Sequence, residues 1–233
     1  MPHRQRVPFT LATQAIPPIS MRPDNTALLI QDMQLNMVDP KYGLGQVAEE
    51  RGILVEFDPY YAQVQKVISN IVRLKERMTA AGMPTIYTRL THDSMYGMRP
   101  SRFQRALGLM AGVGDEDSQI VSDLEPGHED IVLLKRGFDA FNDTELEELL
   151  QEMRIDNLVL AGVITEFGIR SSAATAQDLG FHALVLSDGT ASMTYETQSR
   201  TIGEICYGLT KVRSVGELMT YLDEMEASDI KII

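Results

Sequence analysis

A chain of 233 residues with 44% hydrophobic content is long enough for one sizeable core and short for two. Its formal charge of −12 excludes a broad nucleic-acid or anionic-membrane surface, which needs clustered Lys and Arg, yet leaves room for a local basic pocket. Cys206 is the only cysteine, so neither an intrachain disulfide nor a multi-cysteine metal site can form. No apolar run approaches the length of a membrane span, and residues 1–25 lack the apolar core of a signal peptide. The expectation is a cytoplasmic protein that binds neither nucleic acid nor membrane.

Residues 1–25, with Pro17, Pro18 and Pro23, read as an irregular N-terminal arm, and 26–233 as a single domain. Thr26 to Ile30 has the apolar composition of a buried strand, and Gln31-Asp32-Met33-Gln34 follows at its carboxyl end. Residues 39–58, holding Pro40, Gly43, Gly45 and Gly52, read as a polar loop. Val64, Val67, Ile68, Ile71, Leu74 and Met78 then recur at helical spacing, predicting a helix from Tyr60 to Ala81 that Gly82 stops.

A second strand is predicted from Pro84 to Thr88. A less regular stretch follows, carrying Arg89, His92, Arg99, Arg102 and Arg105 and a short helix near 101–111. The third strand runs from Glu129 to Leu134 and ends at Lys135. A helix from Thr144 to Met153 is capped by Asn142 or Asp143. Leu158 to Ala161 is a fourth strand, turning through Gly162 to Thr165 into a small-residue helix from about Phe167. His182 to Ser187, a helix from Thr194 to Tyr207, a short strand from Thr210 to Val215 and a last helix to Glu224 complete the order.

Strands alternating with helices imply right-handed crossovers and a parallel sheet in a doubly wound, Rossmann-like, three-layer α/β/α fold. The first strand lacks a Gly-x-Gly-x-x-Gly turn and no Walker lysine motif occurs, so dinucleotide or NTP binding has no local support and no cofactor is expected. His3, His92, His128 and His182 are scattered, and no catalytic metal is expected either.

In such a sheet ligands bind beyond the carboxyl ends of the strands. Asp32 follows the first strand, Lys135 the third, and Gly168 the fourth. A carboxylate beside an ammonium in a dry cleft can move a proton: the Lys holds and tunes the Asp, which gives or takes the proton. Taken singly, Asp32 serves equally well as a turn cap and Lys135 as a solvated side chain. Each following a buried strand, they make a candidate catalytic pair.

Three stretches carry a specific likeness: Leu28 to Gln34, Val132 to Thr144, and Ala-Gly-Val-Ile-Thr-Glu-Phe-Gly from Ala161 to Gly168. With Leu186 to Thr194, they resemble the isochorismatase-like (cysteine hydrolase) superfamily from about Thr26 to Leu222. The resemblance implies a six-stranded parallel sheet carrying an Asp, a Lys and a nucleophilic Cys. Asp32 and Lys135 match the first two, whereas Gly168 stands where the family pattern Gly-Val-x-Thr-x-x-Cys has its cysteine. Cys206 reads as a small buried hydrophobe of a late helix, and the hydroxyls of Thr165 and Ser171 do not occupy the matching position.

Without that thiol the thioester route of the amidase members loses its nucleophile. True isochorismatases resemble this chain in having Gly there. By that likeness Asp32 is the acid of a vinyl-ether hydrolysis, Lys135 positions it or binds a substrate carboxylate, and Gly168 leaves room for a ring. The resemblance further implies a cis peptide between Val163 and Ile164 that aims the Ile164 and Gly168 N–H groups into the pocket as an oxyanion hole. Val163, Ile164, Phe141 and Arg89 are the expected substrate or oxyanion residues, with Arg99 and Arg102 as alternative partners for a carboxylate. Leu90 stands where isochorismatases have a substrate-contacting Gln. The expected function is a cofactor-free hydrolase of a small carboxylated substrate. Two alternatives stay open: a C–N amidohydrolase with water as nucleophile, and a catalytically silent small-molecule binder. A homodimer or homotetramer is the expected assembly.

Overall fold

All six residues of Thr26–Gln31 are buried, a pattern that only the interior of a sheet covered on both faces allows. This strand, β1, is the centre of the molecule. The computed structural model describes residues 20–93, 95, 97–206 and 210–229, so residues 1–19 of the expected arm lie outside the described residues.

After β1 come two short helices, α1 (Leu35–Val38) and α2 (Gly43–Glu50), and a 3₁₀ turn over Leu54–Phe57. The stretch read as a polar loop is therefore largely helical. Gly43 and Gly45 are there because the backbone passes so closely, not because the helix stops. A Cβ at 43 would lie 2.4 Å from the Asn36 carbonyl oxygen, and one at 45 would lie 2.0 Å from that of Pro40. Helix α3 (Asp58–Ala80) follows with Pro59 in its first turn, and β2 (Thr85–Leu90) comes next.

The short helix α4 (Arg102–Leu107) carries a capping box in which Ser101 and Gln104 each satisfy the other's backbone N–H. Strand β3 (Ile131–Lys135) leads to α5 (Leu146–Glu152). Its cap differs from the expectation. Glu145 is the N-cap, and the Thr144 hydroxyl, rather than Asn142 or Asp143, accepts from Leu146 N at 3.2 Å.

Strand β4 (Asn157–Val163) passes through a π-helical turn, Thr165–Ile169, into α6 (Arg170–Asp178). Strand β5 (His182–Ala191) runs four residues further than its apolar stretch suggested. Helix α7 (Tyr195–Cys206), strand β6 (Lys211–Arg213) and helix α8 (Val215–Asp229) close the chain.

The six strands form one parallel sheet in the order β3-β2-β1-β4-β5-β6. Successive strand residues point to opposite faces, so each strand feeds two apolar layers. Leu28, Ile30, Tyr87 and Val159 meet Val64, Ile71 and Leu74 of α3 and Leu218 and Leu222 of α8. Leu29, Ile86, Leu158 and Val185 meet Leu146 and Leu150 of α5 and Ala173 and Ala176 of α6. Strand order reverses between β1 and β4, and the carboxyl ends of those two strands define the crevice where this class of sheet binds ligands.

Candidate active site

The chain leaves β1 through Asp32, which takes φ +54°, a left-handed conformation unusual for a residue with a side chain. Such a conformation costs on the order of 1–3 kcal/mol and persists only where the surroundings fix it. Here they do. Asp32 N donates to Thr88 O at 3.1 Å, and Thr88 Oγ1, on the neighbouring β2, donates to Asp32 Oδ1 at 2.9 Å.

Lys135, the last residue of β3, reaches back across the sheet end. Its Nζ donates to Asp32 Oδ2 at 2.6 Å, to Gly137 O at 2.8 Å and to Phe138 O at 3.1 Å. An ammonium has three N–H donors, and all three are used within the protein. Lys135 therefore positions Asp32, and its proposed second role, holding a substrate carboxylate, has no donor left for it. The two side chains are 0% and 5% exposed. Burial pushes the Asp32 carboxyl above its ordinary range, while the Lys135 charge, its hydrogen bond and that of Thr88 pull the other way.

Strand β4 brings the third element. Gly162 pairs opposite Gln31 at φ +113°, and a Cβ there would lie 2.1 Å from Gln31 O, so only glycine lets β1 and β4 approach at this end. The Val163–Ile164 peptide is cis, as the resemblance implied. Ile164 O then accepts from Phe167 N at 3.1 Å and Ile169 N at 3.3 Å, closing the π turn that carries Gly168.

The backbone at Gly168 is closely flanked by polar groups of three segments. A Cβ at 168 would meet Phe138 O at 3.2 Å, Gln31 Nε2 at 3.4 Å and Val163 O at 3.5 Å. Ring packing holds one of those segments in place. Phe138 stacks on Phe167 with centroids 5.0 Å apart, and Phe103 of α4 lies 4.1 Å from the Phe138 ring, holding that loop down on the strand ends.

Two further expectations are corrected. Phe141 is not with the pair: it stacks on Phe181 at 6.0 Å and packs in the layer of α5 and α6. Arg89 is turned to the 113–118 loop, donating through Nε to Ser118 O at 2.8 Å and through Nη2 to Val113 O at 2.9 Å and Ser118 Oγ at 2.6 Å. Desolvation depresses its guanidinium. Arg89 also borders a cavity of about 630 Å³, whose other walls include Leu35, Asp39, Glu116, Glu125 and Val132 but neither Asp32 nor Lys135. The buried pair is the candidate site; the cavity is flanked by the carboxylates of Asp39, Glu116 and Glu125, and its Arg89 already holds a loop.

Thr88, Gln31 and Phe138 are the site residues that sequence reasoning missed. Tyr60 is a fourth neighbour. Its hydroxyl donates to Met37 O at 3.0 Å, and burial, then Tyr61, Glu166 and Asp32, hold it well above its ordinary range and protonated. Glu166 Oε1 accepts from Met193 N at 3.2 Å, while its Oε2 and the hydroxyl of Thr165 are buried without a protein partner. Ser171 Oγ is occupied by Phe167 O at 2.7 Å. The side chain of Cys206 lies outside the described residues. Among the described residues no group of three or more His, Cys, Asp or Glu could hold a metal ion, and no helix is long and apolar enough to cross a membrane.

A parallel doubly wound sheet with an Asp–Lys pair at its switch point and a cis peptide after β4 defines a hydrolase-type α/β scaffold. The family model described as the isochorismatase domain matches residues 26–216, and the chain belongs to that family. It is 26% identical over 204 residues to the isochorismatase family protein YecD of Escherichia coli O157:H7, covering 88% of this chain and 100% of that one. It is 28% identical over 190 residues to the ureidoacrylate amidohydrolase RutB of Serratia proteamaculans, covering 74% and 72%. Among solved structures, a cysteine hydrolase from Pseudomonas syringae pv. phaseolicola 1448A superposes with a TM-score of 0.75 at 18% identity, over 91% of this chain and 99% of that one, a likeness of fold.

Proposed function

We propose that this protein is a hydrolase that acts on a small carboxylated substrate by acid catalysis from Asp32, with no cysteine nucleophile. The observation that carries the reading is the Asp32–Lys135 pair, 2.6 Å apart and buried at the switch point, beside a residue 168 that has no side chain to attack with. Burial raises the Asp32 carboxyl against the pull of Lys135 and Thr88, which is the direction an acid catalyst needs.

In a vinyl-ether hydrolysis Asp32 gives its proton to the vinyl carbon, and water adds to the oxocarbenium carbon. The added water returns a proton to the Asp32 carboxylate, and the hemiketal collapses to a ketone and an alcohol. Lys135 steadies the carboxylate while it exists. In C–N hydrolysis, the second reading below, a tetrahedral oxyanion develops, and the Ile164 and Gly168 N–H groups are assigned as its donors. Assembly as a homodimer or homotetramer belongs to the same reading. Val132, 38% exposed on the edge strand β3, supports it, and sedimentation measures it.

A second reading is favoured by the likeness to RutB: hydrolysis of a C–N bond by water, with Asp32 as general base. Turnover of isochorismate set against ureidoacrylate and simple amides separates the two, with Asp32→Asn as the control. Loss of turnover in Asp32→Asn supports either chemistry, and full retention overturns both.

A further inference from the structure

We propose that Gln31 sets the substrate specificity of this site: its carboxamide stands in the ground beside Gly168, and its free oxygen receives a neutral O–H or N–H donor of the substrate. The inference rests on the Asp32–Lys135 reading of the site. Gln31 is the last residue of β1 and is fully buried, with its side chain on the face where Leu29 packs. A strand end sealed on every side calls for an apolar residue, and methionine would fill the same volume.

The amide orientation is fixed by its neighbours. Gln31 Nε2 lies 3.5 Å from Phe138 O, the carbonyl that also accepts from Lys135 Nζ at 3.1 Å. A carbonyl accepts from an N–H and repels a second oxygen, so Oε1 must point elsewhere. That oxygen is buried and has no hydrogen-bond partner in the protein. Nε2 is also 3.4 Å from the place a Cβ on Gly168 would take. The carboxamide therefore lies in contact with the position from which a side chain at 168 would act, and it shares an acceptor with the amine that holds Asp32.

A buried acceptor left unpaired costs stability, whereas an apolar isostere at the same place removes that cost. Retaining Gln31 makes physical sense if substrate supplies the donor. A site built to hydrogen-bond a donor then discriminates against compounds that lack it, because the buried acceptor would otherwise stay unpaired.

The test is Gln31→Met, read for stability and for activity. Thermal unfolding should give a midpoint at or above that of the unsubstituted protein, because only the long Nε2 contact is lost. With whichever of isochorismate or ureidoacrylate the unsubstituted protein turns over, kcat/KM should fall about tenfold, the worth of one hydrogen bond of about 1.4 kcal/mol. An unfolding midpoint clearly below that of the unsubstituted protein shows the amide to be part of the scaffold and overturns the proposal. So does an unchanged kcat/KM. If neither compound is turned over, the unfolding midpoint decides alone. Full turnover by Asp32→Asn would instead remove the underlying reading while leaving the Gln31→Met comparison readable.

Discussion

Replacing Lys135 by Met removes the ammonium and keeps most of the stem volume. In the native site its Nζ serves Asp32 Oδ2, Gly137 O and Phe138 O, and neither partner of the ion pair is more than 5% exposed. The variant leaves a buried carboxyl with Thr88 as its remaining side-chain donor, and two carbonyls without the donor they had. Removing one partner of a buried pair costs about 3–5 kcal/mol. At roughly 2–4 °C per kcal/mol for a chain of this size, the midpoint should fall about 6–20 °C.

Asp32→Asn leaves the ammonium facing a neutral amide and should also destabilise. The double variant has no buried charge, so its loss should be smaller than the sum of the single losses by about 2 kcal/mol or more. Urea unfolding at neutral pH measures all four proteins. The sign of the pH response is a second readout. The folded-state carboxyl is raised, so its proton-linked stability is fully present below the unfolded value and is lost as pH rises through the folded one. Without Lys135 the folded value rises further, and the deficit of Lys135→Met should shrink as pH falls from neutral. Additivity within about 0.5 kcal/mol, or a deficit that grows on acidification, would refute a coupled buried pair.

If Asp32 is the acid, turnover should decline as pH rises through its raised carboxyl value; a general base gives the opposite slope, so the direction of that limb distinguishes the two chemistries. Thr88→Val removes the donor that pulls this carboxyl down, and the limb should move to higher pH. Arg89→Ala should cost about 2–3 kcal/mol, from three hydrogen bonds to the 113–118 loop, with KM for a carboxylated substrate unchanged. Gly162→Ala should fail to fold or lose more than about 4 kcal/mol, read by soluble yield and unfolding, because its Cβ would lie 2.1 Å from Gln31 O.

Much of this fold is legible in the residues. Runs such as Thr26 to Ile30 are apolar without alternation because both faces are covered, and the α3 stripe repeats every three or four residues because one face is. Asp32 and Lys135 are legible because a charged residue directly after such a run sits at a strand's carboxyl end. Helix α2 is not, since Gly43 and Gly45 look like breakers and are in fact contacts with the backbone of Asn36 and Pro40. Arg89 illustrates the period of a strand. Thr88 and Arg89 are adjacent and therefore face opposite layers, so the hydroxyl meets Asp32 and the guanidinium goes to the far side. Phe138 and Phe141 lie three residues apart in one irregular segment, where no period says which ring returns to the strand ends.

Gly168 shows why a missing side chain is a poor guide to free space. The sequence records that a thiol is absent, and the natural inference is a larger pocket. Protein interiors are packed nearly as densely as organic crystals, so volume given up by one residue is taken by whichever neighbour can move into it. At this strand end the Phe138 carbonyl and the Gln31 carboxamide both stand within 3.4 Å of the place a Cβ on residue 168 would take. One of these polar neighbours is carried by the residue directly before Asp32, so the surroundings of Gly168 are set by β1 and the loop after β3 as much as by β4.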